Sequence, residues 1–120
     1  MARKEYRESV VSLLYLMAME GNYLETEYPK ESIDTAKAVF SHVIEIDQII
    51  TDHLQNWTID RLNYVDKAII RFAVYEMRYT DQPYEIIINE AVNLTKTFTN
   101  LDDDQAKAFN NRLLDNIRLT

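Results

Sequence analysis

The side chains that most often carry chemistry are few in this chain and poorly spaced for it. His42 and His53 are its two histidines. On one continuous helix they would share a side, but at roughly 16 Å along the axis, too far to hold one metal ion. Cysteine is absent, which removes disulfides, thiolate zinc sites and thiol nucleophiles. Ser9, Ser12, Ser32 and Ser41 all sit inside helical apolar patterns, with no small-residue elbow to expose an activated hydroxyl. The run Asp102-Asp103-Asp104 lacks the alternating ligands, central glycine and closing glutamate of a calcium loop; capping of a following helix is its expected role. A single glycine, Gly21, rules out a glycine-rich phosphate cradle. The residues point away from an enzyme, and no cofactor or metal is expected.

Aromatic and basic residues offer more. The chain has eight tyrosines, four phenylalanines and one tryptophan. Tyr6, Tyr15, Tyr75 and Tyr79 recur at helical spacing, where the ring packs inward and the hydroxyl reaches the surface. Around Tyr6 stand Arg3, Lys4 and Arg7, a combination that also suits single-stranded RNA, with rings for bases and cations for phosphates. Those cations form a local patch, because the net charge is −7. Residues 1–7 carry +2 and residues 8–60 carry −8. An acidic chain repels nucleic acid as a whole, so binding must use such a patch. The long acidic stretch suits a basic protein partner or a solvated face.

The positioning elements read as helices nearly throughout. At 120 residues with 47% hydrophobic and 28% charged residues, the chain is expected to be one domain spanning 1–120. Tyr6, Val10, Leu13, Leu14 and Met17 form the stripe of a first helix, with Gly21 placed to end it. Residues 22–31 read as a linker, and Ser32 as the cap of a helix that either runs to Trp57 or breaks near Asp52. Asn63 and Asp66 make a capping-box-like pair ahead of Ala68, Ile69, Phe72, Ala73 and Met77. Asp81 or Gln82 can cap the next helix, with Pro83 at its first position. That helix carries Ile87, Ile88, Ala91, Leu94 and Phe98. Only the triplet Ile86-Ile87-Ile88 lets a strand compete. Phe109, Leu113, Leu114 and Ile117 mark the last helix. The fold class is therefore all-α, a bundle of about five to seven helices. Arg71 is expected to pair with Glu76 or Glu90 across that bundle. No apolar run approaches the roughly 18 residues of a membrane span, and the N-terminus does not read as a signal peptide; the expected location is cytoplasmic, with no membrane partner.

Residues 57–98 carry a resemblance. Trp57-Thr58-Ile59-Asp60-Arg61-Leu62, then Val65-Asp66-Lys67-Ala68-Ile69-Ile70-Arg71-Phe72-Ala73-Val74-Tyr75-Glu76-Met77, resembles the central signature of the NusB transcription antitermination family. Asp81-Gln82-Pro83-Tyr84 and Ile88-Asn89-Glu90-Ala91-Val92-Asn93-Leu94 extend it. Phe109-Asn110-Asn111-Arg112-Leu113-Leu114-Asp115 and Tyr6-Arg7-Glu8 are similar to the family's last and first helices. The resemblance implies two small helical bundles packed together. It implies binding of boxA-type nascent RNA together with ribosomal protein NusE, within an RNA polymerase antitermination complex that supports ribosomal RNA transcription. By position, Arg3, Lys4 and Arg7 fall in the family's RNA-contacting N-terminus. Tyr15, Phe98 and Phe109 fall where it meets bases and sugars, and one of Asp102, Asp103 and Asp104 at its RNA-facing acid. Asp60 and Asp66 fall on the part presented to NusE. A protein-binding module that keeps the fold without RNA binding is the alternative.

Overall fold

From Tyr64 to Tyr79 apolar residues occupy almost every turn on every side, the pattern of a helix enclosed by others rather than laid on a surface. The computed structural model describes residues 3–19, 27–99 and 104–119, and its helices are α1 (Arg3–Ala18), α2 (Lys30–Ser41), α3 (Val43–His53), α4 (Tyr64–Tyr79), α5 (Tyr84–Thr99) and α6 (Asp104–Arg118). A 3-10 turn, Ile59–Arg61, precedes α4. The described residues contain no strand. α4 is the axle: it packs against α1, α2, α3, α5 and α6 and buries Ala68, Ile69, Ile70, Phe72, Ala73, Val74 and Met77. Val10, Leu14, Ile46, Ile50, Ile87, Leu114 and Ile117, all fully covered, close around it.

Several local expectations are met. The Asn63 side chain accepts the Asp66 backbone N–H at 2.7 Å, capping α4. The isoleucine triplet is helical: Ile87 is buried, Ile88 partly so, and Ile86 stands in solvent. Gly21 lies outside the described residues.

Others are corrected. Ser32 caps nothing; Pro29 precedes the first residue of α2 in extended backbone (φ −60, ψ 141), and proline's fixed φ suits that entry. Ser32 is instead wholly buried and donates to the Tyr6 carbonyl at 3.3 Å. The helical run ends after His53, near Asp52 as expected, but it is also broken at His42, so His42 stands at the junction of α2 and α3 while His53 closes α3. His42 lies flat on Tyr79, ring centroids 4.2 Å apart. Pro83 stands just ahead of α5, where its carbonyl accepts the Ile87 N–H at 3.1 Å.

The main correction concerns ion pairs. Arg71 bonds Asp47 of α3, Nε to Oδ1 at 2.8 Å and Nη2 to Oδ2 at 2.7 Å. Glu76 belongs to Arg7. Its carboxylate accepts both guanidinium arms, Nη1 to Oε1 at 2.6 Å and Nη2 to Oε2 at 2.9 Å, and both side chains are 6% exposed. The Arg7 guanidinium also lies 5.3 Å over the Phe72 ring, with Glu90 at 4.0 Å from Nε. Arg7 therefore joins α1 to α4 and leans toward α5. A buried pair of this kind is costly to break from one side, because the remaining charge stays desolvated. Arg7→Ala should lower the unfolding free energy by about 3–5 kcal/mol. Replacing both partners by apolar residues of similar volume (Arg7→Met with Glu76→Leu) should recover most of that loss. Urea denaturation of the three chains checks both outcomes.

Candidate nucleic-acid interface

α1 and α5 both pack on α4, and between their outer faces runs a groove of about 540 Å³. Lys4, Arg7 and Glu8 line it from α1; Glu90, Asn93, Leu94, Lys96 and Thr97 line it from α5. The spacings of three and four along each helix put these groups on one face apiece. Leu94 is buried at the floor, while Lys4 and Lys96 are exposed. The groove thus offers two mobile ammonium groups, two carboxylates and neutral hydrogen-bonding groups. Such a surface can hold a polyanion by its phosphates and meet polar edges between them. Lys96 and Asn93 escaped the sequence reading. Their signal was the polar set 90, 93 and 97 beside Leu94 and Leu-spaced core positions, which is unremarkable until α1 supplies the opposite wall.

The remaining expected site residues are dispersed. Arg3 is exposed, bonds Glu31 at 2.9 Å and lies 4.1 Å over the Tyr6 ring. The hydrogen bond to Glu31 pushes its guanidinium pKa above the ordinary value. An exposed pair of this type is worth at most about 1 kcal/mol, so Arg3 can exchange Glu31 for a phosphate. Arg7 differs. It was expected to contact RNA, but it is 5% exposed and held by Glu76, so only its edge reaches the groove. Tyr15 meets Tyr64 edge-on at 6.4 Å and is not in the groove lining. Phe98 is half-buried against the core. Phe109, 36% exposed on α6, lines a separate cavity of about 460 Å³ with Trp57, Arg61, Asn63, Asp66 and Asn110. Asp60 is exposed on the 3-10 turn. Asp66 is half-buried and accepts from Asn110 Nδ2 at 3.3 Å. Asp102 and Asp103 lie outside the described residues; Asp104 opens α6, and its side chain lies outside them too. No group of three or more potential metal-ligating side chains gathers among the described residues, and no helix there is long and apolar enough to cross a membrane.

Five helices ranged about α4, with open grooves between them, define a helical binding domain. The chain belongs to the NusB family, whose model matches residues 4–118. A transcription antitermination protein NusB of Macrococcus caseolyticus is 34% identical over 128 residues, taking in 98% of this chain and 96% of that protein. T. maritima NusB superposes with a TM-score of 0.82 at 25% identity, covering 99% of this chain and 92% of that one. A structure of antitermination factors NusB and NusE in complex with dsRNA shares the fold, with a TM-score of 0.74 at 24% identity over 98% and 96% of the two chains.

Between the groove and the Phe109 cavity stands Asn110. It is 1% exposed and donates to Thr95 Oγ1 at 3.1 Å as well as to Asp66, tying α6 to both α5 and α4. Asn110→Ala should cost about 1–3 kcal/mol, read as a lower urea midpoint.

Proposed function

We propose that this protein is a transcription antitermination factor that binds boxA-type single-stranded RNA together with ribosomal protein NusE. It acts in the cytoplasm, within an RNA polymerase antitermination complex that supports ribosomal RNA transcription. The observation that carries the reading is the pair Lys4 and Lys96 at the mouth of a polar groove, on a chain whose net charge is −7. Family membership supports the same reading: the Macrococcus relative bears the antitermination name.

The electrostatics also bear on the partner. With Arg3, Lys4 and Lys96 engaged, the slope of log K against log[salt] should be about −2, at roughly 0.7 per phosphate for single strands. That is a weak grip, and nearby acids weaken it further. A basic partner such as NusE, seated near Asp60 and Asp66, supplies the missing positive charge and completes the site. RNA alone should therefore bind poorly, and RNA with NusE well.

Fluorescence anisotropy of a labelled boxA-type RNA, with and without NusE and at several salt concentrations, tests this. Lys4→Ala and Lys96→Ala should each flatten the slope for the ternary complex by about 0.7. Arg7→Ala should leave the slope unchanged and act through folding stability. Absence of RNA binding both with and without NusE would overturn the reading.

A further inference from the structure

At its C-terminal end α4 meets the junction of α2 and α3, and three rings gather there. His42, at the break between the two helices, stacks on Tyr79 with centroids 4.2 Å apart and planes 18° apart. Tyr75, one turn back on α4, stacks on Tyr79 at 5.4 Å and lies 6.2 Å from His42. Arg71, Tyr75 and Tyr79 recur every fourth residue, so one stripe of α4 faces the junction. The rings are not enclosed: Tyr79 is 40% exposed, and His42 and Tyr75 are half-buried.

Glu45 supplies the polar side of the cluster. Its Oε2 accepts the Tyr79 hydroxyl and lies 3.8 Å from His42 Nδ1. That bond holds the pKa of the Tyr79 hydroxyl above its ordinary value, so the phenol keeps its proton as the donor. Glu45 Oε1 has no partner among the described residues. Beside Glu45 in the chain, Ile44 is 85% exposed, and Gln48, Thr51 and Asp52 continue an outer face of α3 that stands in water.

The chemistry of this face selects its occupant. Ring faces attract cations, and a planar guanidinium stacks on them where an ammonium cannot. A carboxylate oxygen beside the rings accepts the same group's N–H donors. An isoleucine left in water favours apolar cover, which the stem of a long cationic side chain provides. Charge agrees: α2 and α3 carry five acids (Glu31, Asp34, Glu45, Asp47 and Asp52) against two lysines (Lys30 and Lys37), a net −3. The arginines of α4 are engaged elsewhere, Arg71 on Asp47 and Arg78 on the Ile117 carbonyl at 3.4 Å. No lysine or arginine pairs with Glu45 or Asp52 among the described residues.

We propose that the α2–α3 junction, with Tyr75 and Tyr79 of α4, is a docking surface for an arginine-bearing basic segment of a protein partner. One guanidinium stacks on the ring cluster and bonds Glu45, and the segment's apolar stems cover Ile44. From Asp66 to Tyr79 the axis of α4 runs roughly 20 Å, so this surface is separate from the one around Asp60 and Asp66.

The test uses the isotope-labelled chain alone, titrated with a capped arginine–glycine peptide and, separately, with its lysine–glycine counterpart. Amide chemical shifts are expected to move within residues 41–48 and 75–80 and to stay put at Asp60 and Asp66. The lysine peptide should bind less tightly than the arginine peptide. Tyr79→Ala should weaken the arginine peptide by about twofold to fivefold, and Tyr79→Phe, which keeps the ring, by less. Ile44→Ser changes a side chain already in water, so it should weaken binding with the urea midpoint unmoved. Glu45→Gln should weaken binding and flatten its salt dependence. Equal binding of the two peptides, or shifts spread over the acids of both helices, would show a diffuse acidic face and overturn the proposal. So would the absence of any response, or parental affinity in both Tyr79→Ala and Ile44→Ser. Neither RNA nor NusE enters the test, so its failure leaves the proposed function standing.

Discussion

The architecture turns on the buried ion pair between Arg7 and Glu76. A guanidinium and a carboxylate taken out of water tolerate few geometries, because each lost hydrogen bond leaves charge unsolvated. The two-arm contact fixes the rotation and height of α1 against α4 together. α1 then carries Tyr6 onto Phe72 at 6.2 Å and offers its carbonyl to buried Ser32 of α2. Glu90 approaches the same arginine from α5. Three helices thus take their register from one cation. The pair's net worth against an apolar alternative is small; its consequence is a single arrangement.

The same pair shapes the site. By holding Arg7 inward, it removes the most central cation of the N-terminal cluster from the surface and leaves its edge as part of the groove floor. The exposed positive charge at the groove comes down to Lys4 and Lys96, with Arg3 nearby on Glu31. Long, flexible lysines suit sequence-independent phosphate contact better than a rigid fork does. On an acidic chain that leaves little electrostatic attraction for a polyanion. The groove and the Phe109 cavity lie on different pairs of elements, α1 with α5 and the 57–62 segment with α6. Asn110, reaching from α6 to Thr95 of α5 and Asp66 of α4, keeps them in a fixed relation.

Much of this was legible in the sequence. Helical period, scarce glycine and the Asn63 cap foretold an all-helical chain and the start of α4, because these are local effects that act within a few residues. Lys4 was legible as a surface cation, and Phe109 as an exposed ring by family position. The division of α2 from α3 at His42 was not, since no proline or glycine marks it and tertiary stacking on Tyr79 accompanies it.

The pairing of charges belonged to the tertiary structure alone. Arg7 and Glu76 are 69 positions apart, and Arg71 and Asp47 24 apart; no local period relates them. An arginine in a basic N-terminal cluster reads the same whether it faces water or a carboxylate. Which it faces is settled by where α4 passes, and with it whether that cation binds a partner or holds the fold. Composition and spacing determined the helices, their apolar faces and the family signature. The packing of α1 and α5 on α4 decided which of their polar residues share a groove, because a groove needs two walls and each helix encodes only one.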